Sequence, residues 1–415
     1  MEEVPELPDH RRSGRQLKIY ATDELCGSGL PLWLPAGAAV RSEIERYIVD
    51  LERRSGYQHV YTPEMAKREL YERSGHWAHY QDDMYPPMEV GSEQVVLRPM
   101  NCPHHILVYR SEPRGARDLP LRLAELGTMF RFERSGVVGG LSRTRQMTLN
   151  DAHVFCAVDD VESEIAAMLE LVRQAYRDLG IPAPSLRLSC HGEGEKYVAD
   201  AKLWERSEAM IRSVLVNLGL DYVEAQGEAA FYGPKIDLQV TDPQGREETL
   251  STVQVDFHLP RQFELWFRQG SEKERPVMIH RSIVSTMERM VAHLLEVHDG
   301  ALPVWLSPVQ VTVLPVSSEA LGYATRVVGV LRGADVRVEL DDREETLGSR
   351  VRDAQQRKVP YVVVVGEKET ATDTVSVRLR SSERLAPMGI DAFVGFVGEV
   401  RAARGAGLLV DRSAG

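Results

Sequence analysis

Two extended runs joined by a glycine-bearing connection occupy residues 121–155, LRLAELGTMFRFERSGVVGGLSRTRQMTLNDAHVF. Apolar residues lead into Met129, Phe130, Arg131, Phe132 and Glu133. Gly136, Gly139 and Gly140 then mark a turn-rich loop, and Arg143 to Phe155 carries the chain back as a second strand. Strand side chains alternate between faces, so Arg131 and Glu133 share one face and Leu149, Asp151 and His153 share another. Arginines, a carboxylate and an imidazole gathered on a sheet suit an anionic ligand that bears an amine. On spacing alone they equally suit a charged, solvated hairpin.

Composition narrows the class. At 415 residues, 43% hydrophobic and 27% charged, the chain has material for two or three domains with a substantial core. A net charge of −12 argues against indiscriminate nucleic-acid binding, because phosphate contacts need Lys and Arg, but it leaves room for local basic patches. Cys26, Cys102, Cys156 and Cys190 are scattered with no CxxC pair, which favours a reducing compartment. The polar N-terminus lacks the apolar core of a secretory signal, and no run of about 18 apolar residues occurs. The expected setting is the cytoplasm, with no membrane partner.

Residues 1–14 read as a charged, flexible tail. Apolar positions at three- and four-residue spacing predict helices over 35–55, 161–179 and 203–218, with a shorter one over 67–74. Strands are expected at 57–62, 95–97, 186–188, within 229–237, and at 248–257 and 277–280, with a helix over 283–297. After a linker at 299–303, strands and helices alternate, which suggests a smaller βαβ domain over 304–404 and a terminal tail at 405–415. Its apolar run Val362–Val365 reads as a buried central strand. A Cys-x-His-His run at 102–105 hints at a metal. Cys102, His153 and His280 together make a zinc-like donor set, but their spacing is too wide for a finger, so only a tertiary fold joins them.

The words Arg131-Phe132-Glu133 and Arg143 resemble motif 2 of the class II aminoacyl-tRNA synthetases. Met100-Asn101-Cys102-Pro103, Asp151-Ala152-His153, Phe231-Tyr232-Gly233-Pro234-Lys235 and Met278-Ile279-His280-Arg281 are similar to the threonyl branch of that family, over roughly residues 9–404. Gly56 to Pro63 resembles motif 1, the dimer-forming element, and Arg289 stands at the motif 3 arginine. The resemblance implies an α+β fold: an antiparallel-sheet catalytic domain at 15–301, followed by an anticodon-binding domain. It implies ATP-dependent activation of L-threonine, transfer to threonine tRNA, and a homodimer. The usual family member carries two further N-terminal modules, one of which hydrolyses mischarged tRNA; the sequence as it stands has no room for them, so the expectation is a form without editing.

The same resemblance implies the site. Arg131 would bridge the ATP α-phosphate and the amino-acid carboxylate, with Arg143 and Arg289 on the other phosphates and magnesium between them. Glu133, Met147 and Gln254 complete the ATP site. Lys235 is a phosphate or carboxylate partner and His76 a proton acceptor at the rim. Asp151, Tyr232, Leu149 and Leu250 line the amino-acid pocket, and Cys102, His153 and His280 hold one zinc per chain. Arg350, Arg352, Arg357, Lys358, Arg378 and Arg380 are candidate tRNA contacts. Several positions depart from the family pattern: Leu149 for Gln, Leu250 for Cys, Thr249 for Gln, Met147 for Phe, Ser285 for a motif 3 Gly, and His104 for Gly. They leave open neutral drift or a specialised paralogue, one resistant to an inhibitor or one using a modified hydroxy-amino acid. A non-catalytic tRNA-binding regulator is a third reading.

Overall fold

The computed structural model describes residues 7–134, 136–194 and 196–409. Its centre is a sheet of eight strands. From one edge they run Val223–Gln226, Ser185–Cys190, Lys235–Thr241, Glu247–Asp256, Val277–Ser282, Gln146–Cys156, Leu121–Phe130 and Gln58–His59. All neighbours pair antiparallel except at the two edges, where the outermost strands are parallel to theirs. The hairpin read from the sequence is here, with Leu121–Phe130 against Gln146–Cys156.

Helices Pro35–Arg54, Val161–Leu179, Ala201–Asn217 and Met287–Val297 supply the main core with Ile44, Ile48, Ile165, Met168, Val172, Ile211, Val214, Met290 and Leu294. Burial of each such side chain contributes about 1.5–3 kcal/mol before conformational entropy is counted. The 161–179 helix has the bounds its periodicity predicts, ending where Gly180 takes φ 69°. The strand expected at 57–62 is shorter, Gln58–His59, because it pairs on one side only, at the sheet edge. Residues expected in the N-terminal tail instead enter a helix, His10–Gln16. The Asp9 carboxylate caps it by accepting from the Arg11 backbone N–H.

The smaller unit is a sheet of five strands ordered Val338–Leu340, Val311–Pro315, Tyr361–Val365, Thr374–Leu379 and Met388–Gly389. The first three are parallel. Tyr361–Val365 is central, as its apolar run predicts. Val363 packs with helices Leu321–Gly333 and Ile390–Ala403, whereas Val362 packs with helix Leu347–Gln356. Arg337 of this unit reaches Glu43 on the Pro35–Arg54 helix and also donates to the Trp305 and Ser307 carbonyls of the connecting segment, and Arg380 donates to the Leu302 carbonyl. No described helix is long and apolar enough to cross a membrane.

Candidate active site and metal centre

Cross-strand register assembles the site. His153 stands opposite His280, His280 opposite Gln254, and Gln254 opposite Lys235, one row across four strands. A parallel row has Glu125 opposite Asp151 and Asp237 opposite Thr252. Above them opens a cleft of about 640 Å³, a size that suits a small-molecule ligand. Arg131, Glu133, Arg143, Met147, Leu149 and Asp151 line it from the hairpin. Tyr232, Lys235, Leu250, Gln254, His280 and Arg289 line it from the other strands and the 287–297 helix, and Cys102 from the start of helix Cys102–Arg110. That helix seats closely on the hairpin because residue 127 is glycine: a Cβ there would lie 2.2 Å from Asn101 Nδ2.

The cleft is rich in cations with unequal freedom. Arg143 Nε donates to Glu133 Oε2 at 2.9 Å, and Lys235 Nζ to Asp237 Oδ2 at 2.8 Å. Arg289 lies 3.6 Å from Glu248. Among the described residues Arg131 has no side-chain hydrogen bond or ion pair. Burial, and then the nearby Arg289 charge, lower its pKa. An anion entering the cleft would relieve both effects. Burial, reinforced by Glu125, pushes Asp151 up to about 8, so a cation beside it would restore its charge.

Cys102, His153 and His280 bring their sulfur and ring nitrogens within 4.8 Å of one another, all three buried. The donor set fits zinc. Burial holds the Cys102 thiol protonated far above its usual range, and a metal ion would reverse that. Burial keeps His153 neutral, as a ligand must be. The outer nitrogen of His280 meets Asp256 Oδ2 at 3.0 Å, and the Tyr232 ring stacks on the His280 imidazole at 4.6 Å. A second group, Asp9, His10 and Glu296, also gathers ligand atoms. Both His10 nitrogens are engaged there, one by Glu296 and one accepting from the Leu141 N–H.

Some expectations are corrected. His76 is fully buried and does not line the cleft; its Nδ1 meets Ser74 Oγ at 2.8 Å, its ring packs edge-on to Phe231, and burial lowers its pKa to about 3. Gly75 takes φ 81° and starts a new helical turn that tucks His76 inward. The helix expected from 283 begins at Met287, after the Thr286 cap. Ser285 before it has φ 54°, a left-handed conformation that favours glycine, so the departure at this position carries backbone strain. Arg350 is buried and donates to the Asp341 and Pro315 carbonyls, which withdraws its guanidinium from the surface, whereas Arg357 is partly exposed and pairs with Glu339. Arg352 is exposed. His104 is buried with neither ring nitrogen hydrogen-bonded.

Sequence alternation misses one feature of the lining. The register slips so that Leu238 faces Ser251 and Gln239 faces Thr249, leaving Leu250 as the extra residue of a bulge. Both Thr249 and Leu250 therefore reach the cleft, although adjacent strand residues ordinarily point apart. Asp237 and Asp256, which hold Lys235 and His280, had no signal beyond their place in strand runs.

Residues 88–298 match the family described as tRNA synthetase class II core domain (G, H, P, S and T), and residues 310–400 match the family described as anticodon binding domain. The threonine–tRNA ligase of Halalkalibacterium halodurans is 52% identical over 398 residues, covering 95% of this chain and 62% of the relative. That of a Geobacillus species is 51% identical, covering 93% and 61%. The chain thus spans about three fifths of the length of these relatives. The crystal structure of the RNA binding domain of threonyl-tRNA synthetase from Cryptosporidium parvum superposes with a TM-score of 0.90 at 32% identity, covering 94% of this chain and 98% of that one. A putative threonyl-tRNA synthetase from Aeropyrum pernix gives a TM-score of 0.85 at 27% identity, covering 95% and 96%.

Proposed function

Because this chain belongs to the class II aminoacyl-tRNA synthetases, and among them to the threonine–tRNA ligase family, we propose that it activates L-threonine with ATP and magnesium and esterifies threonine tRNA with the product. The observation that carries this reading is Arg131, unpaired among the described residues, in the same cleft as Cys102 and His280. ATP–pyrophosphate exchange across a panel of amino acids tests it: threonine should support the fastest exchange, and a flat panel would overturn it.

The first step needs little covalent help. Its main demands are an in-line arrangement and neutralisation of growing phosphate charge. Arg131 has a planar fork that binds two oxygens at once, so it bridges the α-phosphate and the threonine carboxylate. Arg143 and Arg289 take the remaining phosphates; Arg143 leaves Glu133 to do so, which frees that carboxylate to orient adenine. Met147 lies under the base. Gln254, held by the Tyr232 hydroxyl at 2.7 Å, and Lys235 close the far side. Asp151 accepts from the threonine amine or hydroxyl. Cys102, His153 and His280 would hold one zinc ion per chain, which when bound supplies a Lewis-acidic centre that tells a hydroxyl from a methyl. We assign these steps to residues 15–301 and anticodon reading to residues 304–404.

Serine keeps the hydroxyl and lacks one methyl, a difference worth about 1–3 kcal/mol in an apolar pocket. Leu149 and Leu250 line this cleft and are the apolar side chains proposed to meet that methyl. Serine should therefore support exchange with kcat/KM lower by roughly tenfold to a few hundredfold. Rejection beyond about ten thousandfold would mean that a single methyl contact does not set the discrimination, and this reading of the pocket would fall.

The same reading makes the chain a homodimer joined through residues 56–63. Gln58–His59 is a sheet edge, and Tyr61 beside it is 94% exposed. An open edge with an exposed aromatic supports pairing there. Light scattering at micromolar concentration should give twice the chain mass; a monomer would remove the assignment.

A further inference from the structure

A chain of buried polar groups runs away from the metal centre on the side opposite Asp256. His153 Nδ1 lies 2.8 Å from His105 Nδ1, and His105 Nε2 lies 3.2 Å from Glu125 Oε2. Glu125 is ion-paired to Arg98 at 3.1 Å, both side chains within 3% of full burial. It also accepts from the Thr62 backbone N–H and hydroxyl. His105 and His153 have no exposed surface.

These contacts fix the direction of every hydrogen bond. An ionised carboxylate only accepts, so His105 Nε2 carries the proton that faces Glu125. Neutral His105 then offers a lone pair at Nδ1, and His153 Nδ1 must donate to it. Neutral His153 is left with its lone pair at Nε2. On the other side Asp256 takes the proton of His280 Nε2, which leaves a lone pair at His280 Nδ1. The two lone pairs face each other at 3.0 Å. They repel unless a cation lies at the point they share with Cys102.

Resting on the zinc reading given above, we propose that His105, backed by Glu125, Arg98 and Thr62, is a positioning residue: it holds His153 in the one tautomer whose Nε2 lone pair faces the metal. Its role is set by the acceptor at Nδ1. The chain also ties the metal centre to residue 62, inside the segment proposed to form the dimer.

Two polar variants separate this role from simple packing. His105→Asn keeps an acceptor at the Nδ1 position. His105→Gln keeps a group facing Glu125 but withdraws the acceptor from His153. Zinc affinity of the full chain is read by competition with a chromophoric chelator, and folding by thermal melting. We expect His105→Gln to bind zinc about 10–100-fold more weakly than the parent, the cost usual for losing an outer partner of a metal ligand, and His105→Asn to stay within about threefold. Parent-like affinity in His105→Gln would overturn the proposal while leaving the zinc reading intact. So would equal loss in both variants. A parent chain that binds no zinc would sink the zinc reading itself, and this proposal with it.

Discussion

Cys102→Ala should lose its zinc and slow threonine-dependent ATP–pyrophosphate exchange by at least about ten thousandfold in kcat/KM. Removing the thiolate leaves only His153 and His280 as protein donors, too few for a stable site. The pocket then loses the metal contact proposed for the substrate hydroxyl and keeps only Asp151 to meet it. Discrimination against valine should collapse with it, because a site that binds a hydroxyl rejects the isostere through that contact. The parent should therefore show strong preference for threonine over valine, and Cys102→Ala a much weaker one. Metal analysis of protein purified without chelator gives the independent measure: near one zinc per parent chain and little in the variant. Full zinc content in Cys102→Ala would refute the ligand assignment whatever the activity. Cys102 is 4% exposed, so the substitution removes one small buried side chain and the fold should survive.

Arg131→Lys should lower kcat for exchange by about a thousandfold or more, with a much smaller change in the KM for ATP. The proposed contact is strongest when the carboxylate and the α-phosphate share a developing negative charge, so its loss falls on the transition state. Lysine keeps the charge but not the fork, which is why the conservative change should cost nearly as much as alanine. Arg131 has no protein partner to lose among the described residues, and stability should hardly move. A variant within tenfold of the parent would mean that Arg143 or Arg289 carries the α-phosphate instead.

Helix 161–179 and the buried strand 361–365 were legible from sequence because each is decided locally, by the spacing of apolar side chains over a few turns or a short run. The motif words around Arg131, Asp151 and His280 were legible for a different reason: they match a family pattern in order. Partnership was not legible. Arg131 and Arg350 look alike in the sequence, yet one lines a cleft with no partner among the described residues and the other is buried against two carbonyls. His76 and His280 are both buried histidines, yet only one is turned to the ligand group. The bulge at Leu250 lies in a strand run with no glycine or proline to announce it.

By itself, then, the sequence determined which segments are helix or strand, which faces are apolar, and which residue types are available for phosphate, carboxylate and metal. Only the tertiary structure decided which of those residues meet. His153 and His280 are 127 positions apart in the chain and 3.0 Å apart in space, joined by strand register. Register depends on every cross-strand neighbour and on bulges, so no local window contains it. Burial then sets the charge and tautomer of each group through partners that are equally remote, such as Glu125 for His105 and Asp256 for His280.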